Sequence, residues 1–190
     1  MHGDFSRYTF RPEKRFAAVL AQQGRLLLDA DLNEAAAIQA HLARTFTVDL
    51  IGPHAGPADA PGFAIEYRPQ ADPPDLVIGP GRYYVAGLLC DATPPPRLTP
   101  VAEGRPDADD AAAPWTYWTQ PDAARDPDEE RHHLPPPPFL VYLVVRQRLI
   151  TAVEDPDLAE RALGMTPPDT AARLKTTWQV LPLRPGPGFP

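Results

Sequence analysis

Proline placement constrains this chain more than any other feature. Prolines account for 27 of its 190 residues, against a usual share of about 5%. A proline inside a helix removes a backbone donor and clashes with the preceding turn, so long helices cannot run throughout. The prolines are also segregated. Residues 1–52 hold one, Pro12, whereas residues 92–138 hold twelve, together with nine acidic and four basic residues. That single stretch carries five of the seven net negative charges. Apolar residues make up 43% of the chain, enough to build a core, so a wholly disordered polymer is excluded along with a plain helical bundle.

The segregation divides the chain into five stretches. These are a helical head (1–52), a strand module (53–91), a Pro/Asp-rich insert (92–138), a strand–helix–strand tail completing the β module (139–183) and a C-terminal linker (184–190). The class expected is α+β: an N-terminal helical hairpin followed by a small, mainly antiparallel β module with a long Pro-rich insert.

In the head, Pro12 sits at a first-turn position and Phe16, Val19, Leu20 and Gln23 follow on one face of a first helix, with Gly24 as its stop. A second helix is expected from Asp31 to Leu50. Asp31 and Glu34 have capping-box spacing, Leu32, Leu42 and Phe46 belong to an apolar three-and-four pattern, and Gly52-Pro53 ends it. The module then shows Phe63–Tyr67 in alternation, and two strands in Asp75–Cys90 joined at Gly79–Gly81, with Gly87 as a bulge or second turn.

The insert is too long for an ordinary connection. Its Trp115, Tyr117 and Trp118 require cover, so it reads as an excursion lying over the body or a neighbouring subunit, mobile near Val101–Ala113. Pro135–Pro138 reads as a polyproline II lead-in. In the tail, Phe139–Val145 reads as a strand buried on both faces. Asp155-Pro156 opens a two-turn helix ending at Gly164. Ala172–Leu183 is a strand, with Leu174, Thr176, Trp178 and Val180 on one face.

Chemical motifs are sparse. Asp29, Asp31 and Asn33 match the opening of a calcium loop, but its glycine position holds Glu34 and its twelfth position Ala40. Gly79-Pro80-Gly81 lacks the lysine, hydroxyl and helix of a phosphate loop. The lone Cys90 permits no intrachain disulfide and no thiolate zinc cage. In Asp126–His133, carboxylates flank His132 and His133; adjacent residues on an extended chain point apart, which favours a solvated charged turn over a metal site. His54 falls in the loop GPHAGP, and His41 falls on the second helix, where it reads as a partly exposed helix residue rather than a base. No cofactor, metal or catalytic residue is expected. A net charge of −7 argues against nucleic acid. No apolar run approaches a membrane span and no signal-like h-region is visible, so synthesis in the cytoplasm is expected.

Several stretches together resemble the DUF6519 family, a bacterial family of unknown function. They are HGDFSRYTFRPEKRFAAVLAQQGRLLLDADLNE, DLIGPHAGP, IGPGRYYVAGLLC, LVYLVVRQRLITAVEDPDLAERALG and DTAARLKTTWQV. They fall in order over nearly the whole chain. Leu32 stands where the family tends to carry tryptophan, and Arg146-Gln147-Arg148 replaces a Trp-Glu-Arg-like strand end. The resemblance implies association with contractile, phage-tail-like injection particles; QQGRLLLDADLNE with PGRYYVAG is similar to elements of tail and baseplate proteins. It implies no catalytic residues.

The resulting expectation is a structural subunit of such a particle, in its baseplate or spike region. Its partners would be baseplate, spike or tube proteins and further copies of itself, and release would follow lysis. The contact residues expected are Leu32, Leu42, Phe46, Trp115, Tyr117, Trp118 and Trp178. The alternatives are an adaptor tethering a C-terminal effector, motivated by the final RPGPGFP, and a metal-dependent or cell-wall hydrolase using Asp126–His133.

Overall fold

The computed structural model describes residues 4–95, 113–164 and 168–186. The stretch expected to be mobile falls, up to residue 112, outside the described residues, as do the last four residues of the expected linker. The class is α+β as expected, with one helix, α1 (Asp29–Ile51), followed by small antiparallel sheets. Two compact units arise from interleaved segments. The first draws on Met1–His54, Ala86–Leu88 and Gln147–Thr176, the second on Ala55–Val85, Leu89–Arg146 and Thr177–Pro190.

In the first unit α1 ends as its sequence directs, with the Gly52 N–H donating to the Val48 carbonyl at 2.9 Å just before Pro53. Its start differs from expectation. Leu28 is the N-cap and gives no side-chain cap. The acids serve the N-terminal arm instead: Asp29 accepts the Ser6 N–H at 3.0 Å and the Ser6 hydroxyl at 2.6 Å, and Glu34 accepts the Thr9 hydroxyl at 2.6 Å. The capping box is therefore not formed: with Leu28 as N-cap, Asp31 lies inside the first turn rather than at the cap, and Glu34 is bonded to Thr9.

The helical hairpin is also corrected. The first helix is reduced to a 3-10 turn, Pro12–Lys14, closed by Arg15 in the left-handed region at φ 57°. Beyond it the chain runs without regular structure to Leu28, with Leu20 83% exposed. An isolated helix of under about 12–15 residues is marginal unless it buries an apolar face, and here Phe16 and Leu20 have nothing to pack on. The expected two-turn helix after Asp155 resolves into two 3-10 turns, Pro156–Leu158 and Arg161–Leu163. Asp155 does cap the first, accepting the Asp157 N–H at 3.2 Å. Ala159 then turns extended, bridging Asp169, and the Glu160 N–H goes to the Pro168 carbonyl at 2.9 Å. That pairing interrupts helical continuation.

The remaining strands are β1 (His54–Ala55), β2 (Ile65–Arg68), β3 (Asp75–Ile78), β4 (Arg82–Val85), β5 (Leu88–Asp91), β6 (Trp115–Thr116), β7 (Leu140–Ile150) and β8 (Arg173–Leu183). They form three sheets, ordered β2–β3–β6, β1–β4–β5 and β7–β8. β2 pairs antiparallel with β3, Ile65 opposite Ile78, and β3 pairs antiparallel with β6, Ile78 opposite Trp115. The expected pairing across Gly79–Gly81 does not occur: β3 and β4 lie in different sheets. Residues 79–82 bond to 62–64 instead, through Gly62 N–H to Arg82 O, Phe63 N–H to Gly79 O and Gly79 N–H to Ala64 O. A Cβ on Gly62 would stand 2.3 Å from the Gly81 carbonyl carbon, so only glycine permits this approach. The second turn expected at Gly87 is present: Ala86 and Gly87, both at positive φ, link β4 to β5 in the manner of a type I′ turn.

The core of the second unit is Leu76, Ile78, Cys90, Ala92, Tyr117, Trp178 and Val180. Phe139, Leu143 and Val145 pack against it, whereas Leu140, Val141 and Tyr142 remain exposed. β7 is therefore not buried on both faces. It belongs to a two-stranded ribbon packed on the core through Leu143 and Val145, so part of its continuous apolar run stays exposed. The run Pro135–Pro138 contains a cis bond at Pro137-Pro138 and is not uniform polyproline II.

Candidate interaction surface

One exposed apolar stripe of the first unit lies on the C-terminal half of α1. Leu42, Phe46 and Leu50 recur every four residues and so share one stripe. They line an open recess of about 640 Å³ together with Gln39, Ala43, Thr45 and Asp49. Phe46 is 64% exposed and Leu50 69%. The N-terminal half is partly covered, because the arm lies along it from Ser6 on Asp29 to Phe10, whose ring sits 5.5 Å from that of His41. The arm's contact ends at His41, and the open stripe begins at the next residue. Leu32, in the first turns, is also exposed. α1 buries only Ala30 and Ile38, and across the described residues the exposed large apolar side chains outnumber the buried ones.

The aromatic residues expected at contacts sit elsewhere. Tyr117 is 1% exposed and donates its hydroxyl to the His132 carbonyl at 2.9 Å. Trp178 is buried, stacks edge-on with Phe63 at 5.0 Å and donates Nε1–H to the Asp91 carbonyl at 2.9 Å. Both are core residues of their own unit. Trp118 is half-buried, its Nε1–H bonded to the Pro74 carbonyl at 3.1 Å, and Trp115 is half-buried on β6. The insert from residue 113 onward is thus structural: it supplies a strand and a central core side chain. Leu32, Leu42 and Phe46, by contrast, are exposed on α1.

The reading missed Gln120, a buried polar side chain. Its position between Trp118 and Pro121 carries no periodic signal. The charge-rich turn at 126–133 folds on itself. The Asp126 N–H donates to His132 Nδ1 at 3.1 Å, Arg131 pairs with Glu129, and the His133 ring meets Trp118 edge-on at 5.8 Å. Among the described residues no group of three or more His, Cys, Asp or Glu is placed to hold a metal ion.

Among the described residues, three groups titrate away from their ordinary values. The Ser6 hydroxyl and N–H bonded to Asp29 lower its pKa. Burial pushes the Cys90 thiol up to about 11, which leaves it protonated and inert near neutrality. Burial raises Tyr117, with the Arg125 guanidinium 4.5 Å from its ring centroid opposing the shift. No helix among the described residues is long and apolar enough to cross a membrane.

A family model described as a family of unknown function, DUF6519, matches residues 1–186. No curated protein and no solved structure matches the chain.

Proposed function

The chain belongs to the DUF6519 family, and we propose that it is a structural subunit of a contractile, phage-tail-like particle, acting through subunit–subunit contacts in the baseplate or spike. One observation carries the contact role. The first unit buries few apolar side chains, Ala30, Ile38 and Ile150, while Leu42, Phe46 and Leu50 stand open on α1. Covering a side chain of that size is worth about 1.5–3 kcal/mol. Repeated copies or neighbouring subunits in a closed ring would supply the cover. The choice of particle rests on the similarity of residues 22–34 and 80–87 to tail and baseplate elements. Partners are particle proteins rather than nucleic acid, and the chain is made in the cytoplasm before incorporation. It acts without a catalytic centre.

Density for a purified particle tests the proposal. The expected result is this chain in stoichiometric, symmetric positions, with α1 against a neighbour. Sheath, tube and AAA+ ATPase genes beside its own are expected as well. Particles that assemble and fire without the chain would overturn the structural role. Loss of firing in His132→Ala/His133→Ala particles that assemble normally would point to the hydrolase reading instead.

A further inference from the structure

A second recess lies in the first unit, away from the α1 stripe. Arg148 and Ile150 on β7, and Arg173 and Lys175 on β8, stand two residues apart, so each pair projects from one face of its strand. The loop after β7 curls back over them. The Thr151 carbonyl accepts the N–H groups of Glu154 and Asp155, each at 3.0 Å. The loop thereby helps to form an open recess of about 390 Å³, which Leu158 also lines.

The floor is apolar, with Ile150 buried and Leu158 half-buried. Three cations and two carboxylates form the walls, and both carboxylates are engaged. Glu154 pairs with the Arg148 guanidinium, and Asp155 accepts the Asp157 N–H. Arg173 is held differently: its Nη1 donates to the carbonyls of Ala171 and Ala172, at 3.3 and 3.2 Å. Those neutral acceptors anchor the guanidinium and leave its charge uncompensated by any carboxylate among the described residues. Lys175 lines the same recess. This positive recess is set in a chain of net charge −7.

We infer that the recess receives a carboxylate borne on a partly apolar peptide segment of a neighbouring subunit. A guanidinium fork matches a planar carboxylate in two parallel hydrogen bonds. The apolar floor accommodates the stem that carries the acid, which an inorganic anion lacks. The inference rests on the assembly reading for the source of the peptide; the chemistry of the recess stands on its own residues.

The probe is an acetylated, amidated Leu-Glu-Leu-Glu-Leu peptide, titrated into the isotope-labelled full chain and followed by NMR. Saturable shifts are expected at the Arg173 Nε–H and the Ile150 methyl. Affinity should fall at least about tenfold in Arg173→Gln, the loss of one charged hydrogen-bonding partner. Unmoved Trp178 indole and Ile38 methyl signals would show that the variant is folded. Should Arg173→Gln fail to fold, Lys175→Gln and weakening by salt decide the matter. Absence of saturable shifts would overturn the inference, as would equal shifts from Leu-Gln-Leu-Gln-Leu. So would inorganic phosphate shifting Arg173 with the same affinity while Ile150 stays still, since that describes a plain anion site. Peptide binding in a chain absent from purified particles would remove the neighbour and keep the recess chemistry. No binding in a chain present in particles would sink the recess alone.

Discussion

Gln120 hydrogen-bonds both backbone polar groups of Val180. The Val180 N–H donates to Gln120 Oε1 at 2.7 Å, and Gln120 Nε2 donates to the Val180 carbonyl at 3.1 Å. The same Nε2 also donates to the Tyr117 carbonyl at 2.9 Å. One side-chain amide thus serves β8 as a strand partner would, and ties the segment after β6 to it.

Gln120→Leu leaves a buried donor and a buried acceptor on Val180 unpaired. Each orphaned group costs about 1–3 kcal/mol, so a loss of about 2–5 kcal/mol is expected in urea unfolding. Gln120→Glu keeps the acceptor, loses the donor and buries a charge, so it should be no milder at neutral pH. An unshifted midpoint in both variants would mean that water replaces the amide at little cost.

Gly87→Ala should destabilise the first unit. Gly87 sits at φ +74°, and an added Cβ would lie 2.6 Å from the Arg44 carbonyl oxygen and 2.7 Å from its Cγ. The turn is also held by Arg44 Nε–H donating to the Ala86 carbonyl at 2.8 Å. A left-handed non-glycine residue costs about 1–3 kcal/mol, to which the displacement of Arg44 adds. Thermal unfolding checks this; a wild-type midpoint would show that the turn relaxes away from α1 freely.

The attachment of the arm to α1 should depend on pH. Hydrogen bonds from Ser6 lower the Asp29 pKa, so their contribution is present above the unfolded value of about 3.9 and is lost as pH falls through the folded value. The Ser6 amide shift is expected to stay flat from pH 8 to 5 and to move toward its unfolded position only below that range. A transition at higher pH would show that another group controls the arm.

Phe46→Asp should leave the isolated chain's stability within about 0.5 kcal/mol, because the side chain is exposed. It should weaken incorporation into particles, or self-association in sedimentation, by about tenfold or more, the equivalent of one lost apolar anchor. Unchanged association would move the contact surface away from the α1 stripe.

Much of the element pattern was legible. The alternation through Trp178 and Val180 marks β8, and Gly52-Pro53 marks the end of α1, because both signals are local. The capping by Asp155 was legible for the same reason. The first helix was misread because its apolar spacing is helical but no surface receives Phe16 and Leu20. The pairing across Gly79–Gly81 was misread because Gly62, far off in sequence, takes the place of the expected strand. Of the contact residues, Leu42 and Phe46 stand open as anticipated, whereas Tyr117 and Trp178 are drawn into a core that their own segments do not reveal.

Sequence by itself determined the α+β class, the long helix that ends before Gly52-Pro53, the two long strands and the family to which the chain belongs. Each follows from periodicity, turn residues or ordered motifs read along the chain. Only the tertiary structure decided that Tyr117 of the proline-rich segment is core, that Asp29 and Glu34 hold an arm, and that Gln120 completes β8. Those outcomes depend on which groups meet across tens of residues, and burial and hydrogen-bond satisfaction, rather than local propensity, select among them.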